Sequence, residues 1–486
     1  MSKEITNLEP KALWKHFYSL TQIPRPSKKE AQVIEFMKKF GEDLGLETIV
    51  DEVGNVIIKK PATEGMEDRK GIILQGHLDM VPQKNADTLH DFEKDPIDAY
   101  VDGDWVTAKG TTLGADNGMG VAASMAVLEA TDLAHGPIEA LFTIDEETGM
   151  TGAENLKPGL LDGDILMNLD SEDEGELYIG CAGGVDTTAE MDYAEEDVPE
   201  GMVTFNVIVK GLKGGHSGLD INLGRGNANK IMNALLVTSA EKFGLRLAEL
   251  EGGSLRNAIP RESFATVVVP ADKVDDFKKF AEEFAAIAKD EFKEADPGLE
   301  VVVEETDAAK KVMDYEPQAK LFKAIAEAPN GVIAMSESVE GIVETSTNLA
   351  IVIVKGGKAS VASLQRSLVD GDRDKIGEQM KKVFLDNGFK ATNEGAYPGW
   401  KPNPDSTILK EMKEIYNNKF GKVPEVKVIH AGLECGLLGS TYTNWDMISF
   451  GPTIRFPHSP DEKVNIATVQ KFWDFLVETL KHAPKK

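Results

Sequence analysis

The sequence predicts an α/β protein in two parts: a layered α/β domain split along the chain, and an α+β domain inserted into it. Three observations carry this expectation. Up to about residue 182, short apolar runs alternate with segments of helical periodicity. Between about 183 and 395 the pattern changes to two similar passes of strand, helix, strand, strand, helix, strand, a duplicated ferredoxin-like plan. Beyond the Pro/Gly-rich stretch GAYPGWKPNPDS, which reads as a return linker, helix and strand alternation resumes. The expected divisions are 1–182, 183–395 and 396–486, the outer two forming one three-layer α/β domain. A chain of 486 residues exceeds the size at which one core usually stops growing, which agrees with this division.

Each element has a local signal. PKALWKHFYSL and SKKEAQVIEFMKKFGEDLG have helical spacing, the second with Ser27 and Glu30 in capping-box register and Gly45 at its end. ETIVDEVGNVIIKK reads as a hairpin turning at Gly54 and Asn55, GIILQGH as a buried strand, and AYVDGDWVTA as a second hairpin. The small-residue helix GMGVAASMAVLEA, the strand EALFTID and the strand DILMNLD follow. In the inserted part, VTFNVIVKG, ESFATVVVP and LEVVVEE are strands around the helices NANKIMNALLVTSAEKF and KVDDFKKFAEEFAAIAKDEF. The second pass has the helices EPQAKLFKAIAEA and DKIGEQMKKVFLDNG and the strands TSTNLAIVIVKGG and SVASLQRSLV. STILKEMKEIYNNKF, VKVIHAGLECG, DMISFGP and ATVQKFWDFLVETLKHA complete the returning domain.

Composition excludes several functions. A net charge of −29 repels nucleic acid and anionic membrane surfaces. The apolar runs are strand-sized, short of the ~20 residues that span a bilayer. Nothing near MSKEITNLEPKALWKHF looks like an export signal, so a cytoplasmic location is expected. The two cysteines, Cys181 and Cys435, are far apart, so a metal would have to use histidine and carboxylate.

Such residues recur just past apolar runs. His77 and Asp79 follow GIILQG, Asp116 lies in TTLGADNGMG, Glu146 and Glu147 follow LFTID, Asp170 follows DILMNL, and His458 lies in SFGPTIRFPHSP. In open α/β sheets such strand ends line the binding crevice. Singly, each has a plainer explanation: a chance pair, a turn cap, a solvated edge. Together, carboxylates in this number are costly to bury unless cations neutralise them, and a sulfur-free set suits Zn²⁺, Mn²⁺ or Co²⁺.

The order His…Asp…Glu-Glu…Asp…His, with GGHSG in an inserted domain, resembles the co-catalytic di-zinc metallopeptidases that include aminoacylases, carboxypeptidase G and carnosinases. Within that group it is most similar to the bacterial aminoacyl-histidine (Xaa-His) dipeptidases. The stretches GHLDMVPQK, GTTLGADNG, DEETGMTGA, NLDSEDEGELYIGCAGG, GGHSGLDI, LRNAIPRE, TSTNLA, HAGLECG and SFGPTIRFPHSPDE carry the resemblance in order. It implies two divalent ions, Zn²⁺ in the first instance, bridged by Asp116, with His77 and Asp170 on one and Glu147 and His458 on the other. It further implies that Asp79 orients His77, that Glu146 is the general base, and that a cis peptide joins Asp116 to Asn117. The inserted domain would be a lid whose His216 stabilises the oxyanion, while Asn257 and Arg366 hold the substrate's polar ends. His430 and Glu434 would touch substrate.

The function this implies is hydrolysis of Xaa-His dipeptides and similar short unblocked peptides. The metal ligands are shared across the group, so a sibling tripeptidase or N-acyl amino acid amidohydrolase is the alternative, with a non-catalytic scaffold further off. The expected partner is a small peptide, without nucleic acid or membrane, and a homodimer is compatible with the doubled lid.

Overall fold

The computed structural model describes residues 3–337 and 339–486. The chain forms two compact units: Met1–Gly180, Pro402–Val428 and Leu433–Lys486 in the first, Cys181–Lys401 with Ile429–Gly432 in the second. The short segment Ile429–Gly432 thus belongs with the second unit, whereas the sequence pattern assigns it to the returning domain.

The first unit is built on an eight-stranded sheet. Its centre is parallel: Ile138–Thr143, Ile72–His77, Ile165–Asn168 and Asp446–Ser449 lie side by side in that order. Every residue of Ile72–His77, Ile138–Thr143 and Ile165–Asn168 is buried, so both faces of the sheet are covered, as near-continuous apolar runs require. The expected hairpin Glu47–Val50/Val56–Lys60 extends one edge antiparallel. A separate four-stranded sheet pairs Ile454–Arg455, Lys463–Asn465, Trp105–Ala108 and Ala99–Asp102.

The helix Ala115–Glu129 is the small-residue helix of the sequence, and its composition has a packing cause. A Cβ on Gly120 would stand 2.5 Å from the Leu169 carbonyl oxygen, closer than any side chain tolerates. The helix backbone therefore lies directly against the ends of the central strands, and Asn117 Nδ2 donates to that same carbonyl at 2.7 Å. At the other end of the expected second helix the local signal misleads. The helix is Ala31–Asp43, its N-cap Glu30 makes no side-chain cap bond, and Ser27 Oγ donates instead to Asp79 Oδ2 at 2.8 Å. Glu30 accepts the backbone amides of Lys28 and Asp145. A capping-box pair has been diverted to tie loops together.

The second unit is built on a nine-stranded antiparallel sheet containing both ferredoxin-like halves and the added strand Gly331–Met335, with two two-stranded ribbons beside it, Glu195–Asp197/Lys311–Met313 and Gly215–His216/Ala258–Ile259. In one half the order is Glu300–Glu305, Met202–Lys210, Ser263–Pro270, Arg246–Gly252. In the other it is Val343–Lys355, Lys358–Ser367, Gly183–Asp192, Lys390–Tyr397. The halves join edge to edge where Leu250–Gly252 pairs with Val352–Val354. Each half has the strand order of a split βαβ, but the passes are nested: Gly183–Asp192 belongs to the second half, and the whole first half is inserted after it. Sequence periodicity could not reveal this, because which strand pairs with which is a long-range choice. Burial alternates along these strands, and Phe205, Val207, Val209, Leu235, Phe277 and Leu349 meet in one core.

Candidate active site

Four neighbouring parallel strands end together in the first unit, and His77, Asp79, Glu146, Glu147 and Asp170 stand at or just past the carboxyl ends of three of them. His77 is the last residue of its strand, registered opposite Thr143. Glu146 and Glu147 begin the turn-length helix Glu146–Gly149 after Ile138–Thr143, and Asp170 stands two residues past Ile165–Asn168. His458 comes from the loop between Ile454–Arg455 and Lys463–Asn465, with a positive φ of 58°. Asp116 lies at the start of Ala115–Glu129, where φ and ψ depart from helical values and the Asp116–Asn117 bond is cis.

These side chains converge. Ligand-type atoms of His77, Asp116 and Asp170 lie within 4.8 Å of one another, as do those of Asp116, Glu147 and His458. His77 Nε2 is 3.1 Å from Asp116 Oδ1 and 3.3 Å from Asp170 Oδ1. His458 Nε2 is 3.3 Å from Asp116 Oδ2 and 2.9 Å from Glu147 Oε2. Asp116 is thus common to both groups, one oxygen turned to each. A third group of the same kind, His77, Glu146 and Glu147, overlaps the first two.

Asp79 is fully buried, and its carboxylate receives Ser27 Oγ at 2.8 Å, the amides of Glu146 and Glu147 at 3.0 and 3.2 Å, and His77 Nδ1 at 3.4 Å, while its backbone carbonyl lies 3.2 Å from the same His77 Nδ1. A carbonyl only accepts, so the imidazole proton is on Nδ1, shared between the Asp79 carbonyl and carboxylate, and Nε2 is directed at Asp116 and Asp170. Although burial opposes it, these donors, His77 foremost, bring the Asp79 carboxyl down to about 2.

The charge balance is strained. Burial, with Asp116 alongside, pushes Asp170 up to about 8. Burial also lifts Glu146 well above the carboxylate range, and Asp170, Glu434 and Glu147 add to it while His77 opposes. Hydrogen bonds to Asp116 and Glu147 push His458 up to about 11. His77 rises well above the histidine range: burial works against the cation, but Asp170, Asp116 and Asp79 outweigh it. Glu147 Oε1 and Asp170 Oδ1 are buried without a hydrogen-bond partner among the described residues. Acids forced to hold protons, histidines forced to carry charge, and orphaned carboxylate oxygens are what a divalent cation would relieve, and the donor set is oxygen and imidazole nitrogen.

In the second unit the predicted residues are distributed differently. His216 Nδ1 accepts the amides of Gly218 and Leu219, both at 3.1 Å, so the proton of the neutral ring is on Nε2. Burial and the Arg366 charge bring its pKa down to about 4, which keeps it neutral. Arg366 is 4% exposed and donates to the Tyr397 hydroxyl at 2.8 Å, while its Nε has no partner among the described residues. His430 Nε2 lies 2.7 Å from Ser346 Oγ, and burial followed by the Arg366 charge brings its pKa down to about 3. Asn257 is exposed, and its backbone carbonyl accepts the Ser217 amide. Glu434, four residues on from His430, lies in the first unit instead. There it is 1% exposed, with Oε2 accepting from Gln75 at 2.6 Å and Thr143 at 2.8 Å.

Residues 73–482 match the Peptidase family M20/M25/M40. The chain belongs to that family. It is 46% identical over 483 residues to the cytosol non-specific dipeptidase of Escherichia coli (strain K12), covering 99% of this chain and 100% of that protein. The crystal structure of aminoacylhistidine dipeptidase from Vibrio alginolyticus is similar with a TM-score of 0.93 at 49% identity, over 100% of this chain and 99% of that one. The aminopeptidase PepT of Bacillus cereus shares the fold, with a TM-score of 0.60 at 18% identity over 98% and 99% of the two chains.

Several residues that shape the site of this M20 peptidase carry little sequence signal of it. Arg25, 2% exposed, donates from Nη1 to the carbonyls of Leu78 and Asp79 at 2.9 Å and from Nη2 to that of Gly114. Glu172 is pushed up to about 9 by burial and then by Asp116 and Asp170. Beneath the ligand groups, Asn168 Nδ2 donates to Gln75 Oε1 at 2.6 Å, Ser449 Oγ donates to Asn168 Oδ1, and Ser171 Oγ meets Ser449 Oγ at 2.6 Å. A polar residue inside an otherwise apolar strand, as Gln75 is in IILQGH, was the available clue.

Proposed function

We propose that this peptidase hydrolyses short peptides with a free amino terminus, chiefly dipeptides ending in histidine, in the cytoplasm and with two divalent cations, Zn²⁺ in the first instance. The observation that supports this best is the pair of ligand groups sharing Asp116 beside the half-buried Glu146. In this reading His77, Asp116 and Asp170 hold one ion, and Asp116, Glu147 and His458 the other. Bound there, the ions would polarise the scissile carbonyl and ease deprotonation of the attacking water.

The chain's own residues do the rest. Glu146, made basic by its buried acidic neighbours, takes a proton from the attacking water and delivers it to the departing amine. Asp79 keeps the His77 proton on Nδ1, so that Nε2 presents its lone pair. His216, neutral with its proton on Nε2, donates to the oxyanion. The Arg366 guanidinium takes the substrate carboxylate, Asn257 helps to hold the substrate's polar ends, and His430 touches substrate. For Glu434, enclosed by Gln75 and Thr143, the better role is raising the basicity of Glu146 rather than touching substrate.

The names of the two close relatives differ in breadth, one non-specific and one aminoacyl-histidine, and both concern dipeptides. Metal analysis of the purified protein, with a hydrolysis panel of Xaa-His dipeptides, other dipeptides, tripeptides and N-acyl amino acids and a chelator control, tests the reading. Turnover of Xaa-His peptides that chelator abolishes is expected. Turnover confined to N-acyl amino acids or tripeptides would replace it with the sibling activity.

A further inference from the structure

Four consecutive amides of the loop carrying Asp116 converge on one side chain that neither the metal chemistry nor the substrate reading uses. Glu462, 2% exposed, accepts four consecutive backbone amides: Leu113 at 2.7 Å and Gly114 at 2.9 Å on Oε2, Ala115 at 2.8 Å and Asp116 at 3.2 Å on Oε1. Its own backbone closes a turn four residues after His458, its amide donating to the Ser459 carbonyl at 3.0 Å. Its carbonyl accepts from Thr107 Oγ1 at 2.7 Å. One residue therefore ties the Asp116 turn, the His458 loop and the strand Trp105–Ala108 together.

The asymmetry of the two ligand groups gives this tie a consequence. His77, Glu147 and Asp170 sit at or just past ends of the parallel sheet, whose register fixes them. Asp116 is secured toward His77 from other sides as well, by Arg25 on Gly114 and by Asn117 on Leu169. His458 is placed differently: its side chain is 52% exposed, and its loop runs between the short paired strands Ile454–Arg455 and Lys463–Asn465 outside the parallel sheet. Glu462, in that loop, bonds directly to the backbone of the Asp116 turn.

We infer that Glu462 is a positioning residue that sets the His458–Asp116 spacing and so governs occupancy of the cation pocket formed by Asp116, Glu147 and His458, more than that of the pocket formed by His77, Asp116 and Asp170. The inference rests on the metal-ligand reading above. Its class is the outer group that orients a ligand, whose loss usually weakens metal binding ~10–100-fold.

The test is Mn²⁺ binding to chelator-stripped full-length protein, followed by calorimetry and by counting bound ion, for the wild type and two variants. Glu462→Gln puts an amide N–H₂ against two of the four backbone N–H groups while preserving shape. Glu139→Gln is the structural control: Glu139 is also buried and accepts the amides of Asp162 and Gly163 and the Lys59 ammonium at 2.8 Å, but at the amino-terminal end of the parallel strands. The expected result is two Mn²⁺ per wild-type chain. In Glu462→Gln one binding step should be weakened ~10–100-fold and the other much less, and in Glu139→Gln neither step should move more than about twofold even though its melting temperature falls. Equal weakening of both steps in Glu462→Gln, or unchanged binding, overturns the inference. A wild-type chain that binds no Mn²⁺ overturns the ligand reading on which it stands. Should Glu462→Gln not fold, Thr107→Val removes only the bond to the Glu462 carbonyl and is expected to weaken the same step by a smaller factor; no shift there overturns the tether.

Discussion

Replacing Asp79 with asparagine isolates what a buried carboxylate does for its neighbours. The aspartate has four donors and no solvent exposure. Asparagine has one acceptor oxygen. If that oxygen keeps Ser27 Oγ and the Glu147 amide on the Oδ2 side, the new N–H₂ faces His77 Nδ1 and the Glu146 amide. The charge-assisted bond to the Glu146 amide is lost outright, while His77 Nδ1 keeps the Asp79 backbone carbonyl, so about 1.5–3 kcal/mol of stability should go. The imidazole keeps its Nδ1–H on the Asp79 backbone carbonyl at 3.2 Å but loses the carboxylate beside it, so Nε2 becomes a weaker lone-pair donor toward the side where Asp116 and Asp170 stand. Metal affinity should then fall ~10–100-fold and kcat/KM at least as far. Urea denaturation, Mn²⁺ titration and dipeptide hydrolysis measured on one preparation test this. Full metal affinity in Asp79→Asn would refute the role of the carboxylate in raising His77 basicity, and a loss of stability below about 1 kcal/mol would refute the donor count.

Other outcomes follow from the same geometry. Glu146→Gln should lower kcat by ~10²–10⁴ with metal content unchanged, since the residue moves a proton and belongs to neither ligand group in the proposed reading; metal analysis beside steady-state kinetics checks it, and substantial residual turnover removes Glu146 as the base. Gly120→Ala should cost about 1–3 kcal/mol in a urea melt, because its Cβ would meet the Leu169 carbonyl oxygen at 2.5 Å and backbone cannot move aside cheaply. His430 is kept neutral, its pKa brought down to about 3 by burial and then by Arg366. The unfolded chain therefore binds the extra proton first, and stability falls by up to about 1.4 kcal/mol per pH unit as pH drops from ~6.5 toward ~3. Urea melts at pH 7 and pH 5 should show that slope reduced in His430→Gln; an unaltered slope would mean that other groups carry it.

The sequence by itself determined the local elements and the chemical character of the strand ends. The buried strand IILQGH, the hairpin at Gly54 and Asn55 and the small-residue helix follow from periodicity and turn chemistry, which act over a few residues. So did the position of histidines and acids just beyond apolar runs, since a strand that ends in a crevice must turn polar there. Tertiary structure decided what those residues meet. Strand neighbours are chosen by long-range pairing, so only the fold puts His77, Asp170 and the Glu146–Glu147 turn on adjacent parallel strands and nests one ferredoxin-like half inside the other. Only the fold takes Ser27 from a helix cap to Asp79, sends His430 and Glu434 to different units, and aims Glu462 at four amides more than three hundred residues away. A short-range code can say that a carboxylate needs donors; which donors reach it is fixed by the close packing of segments distant in the chain.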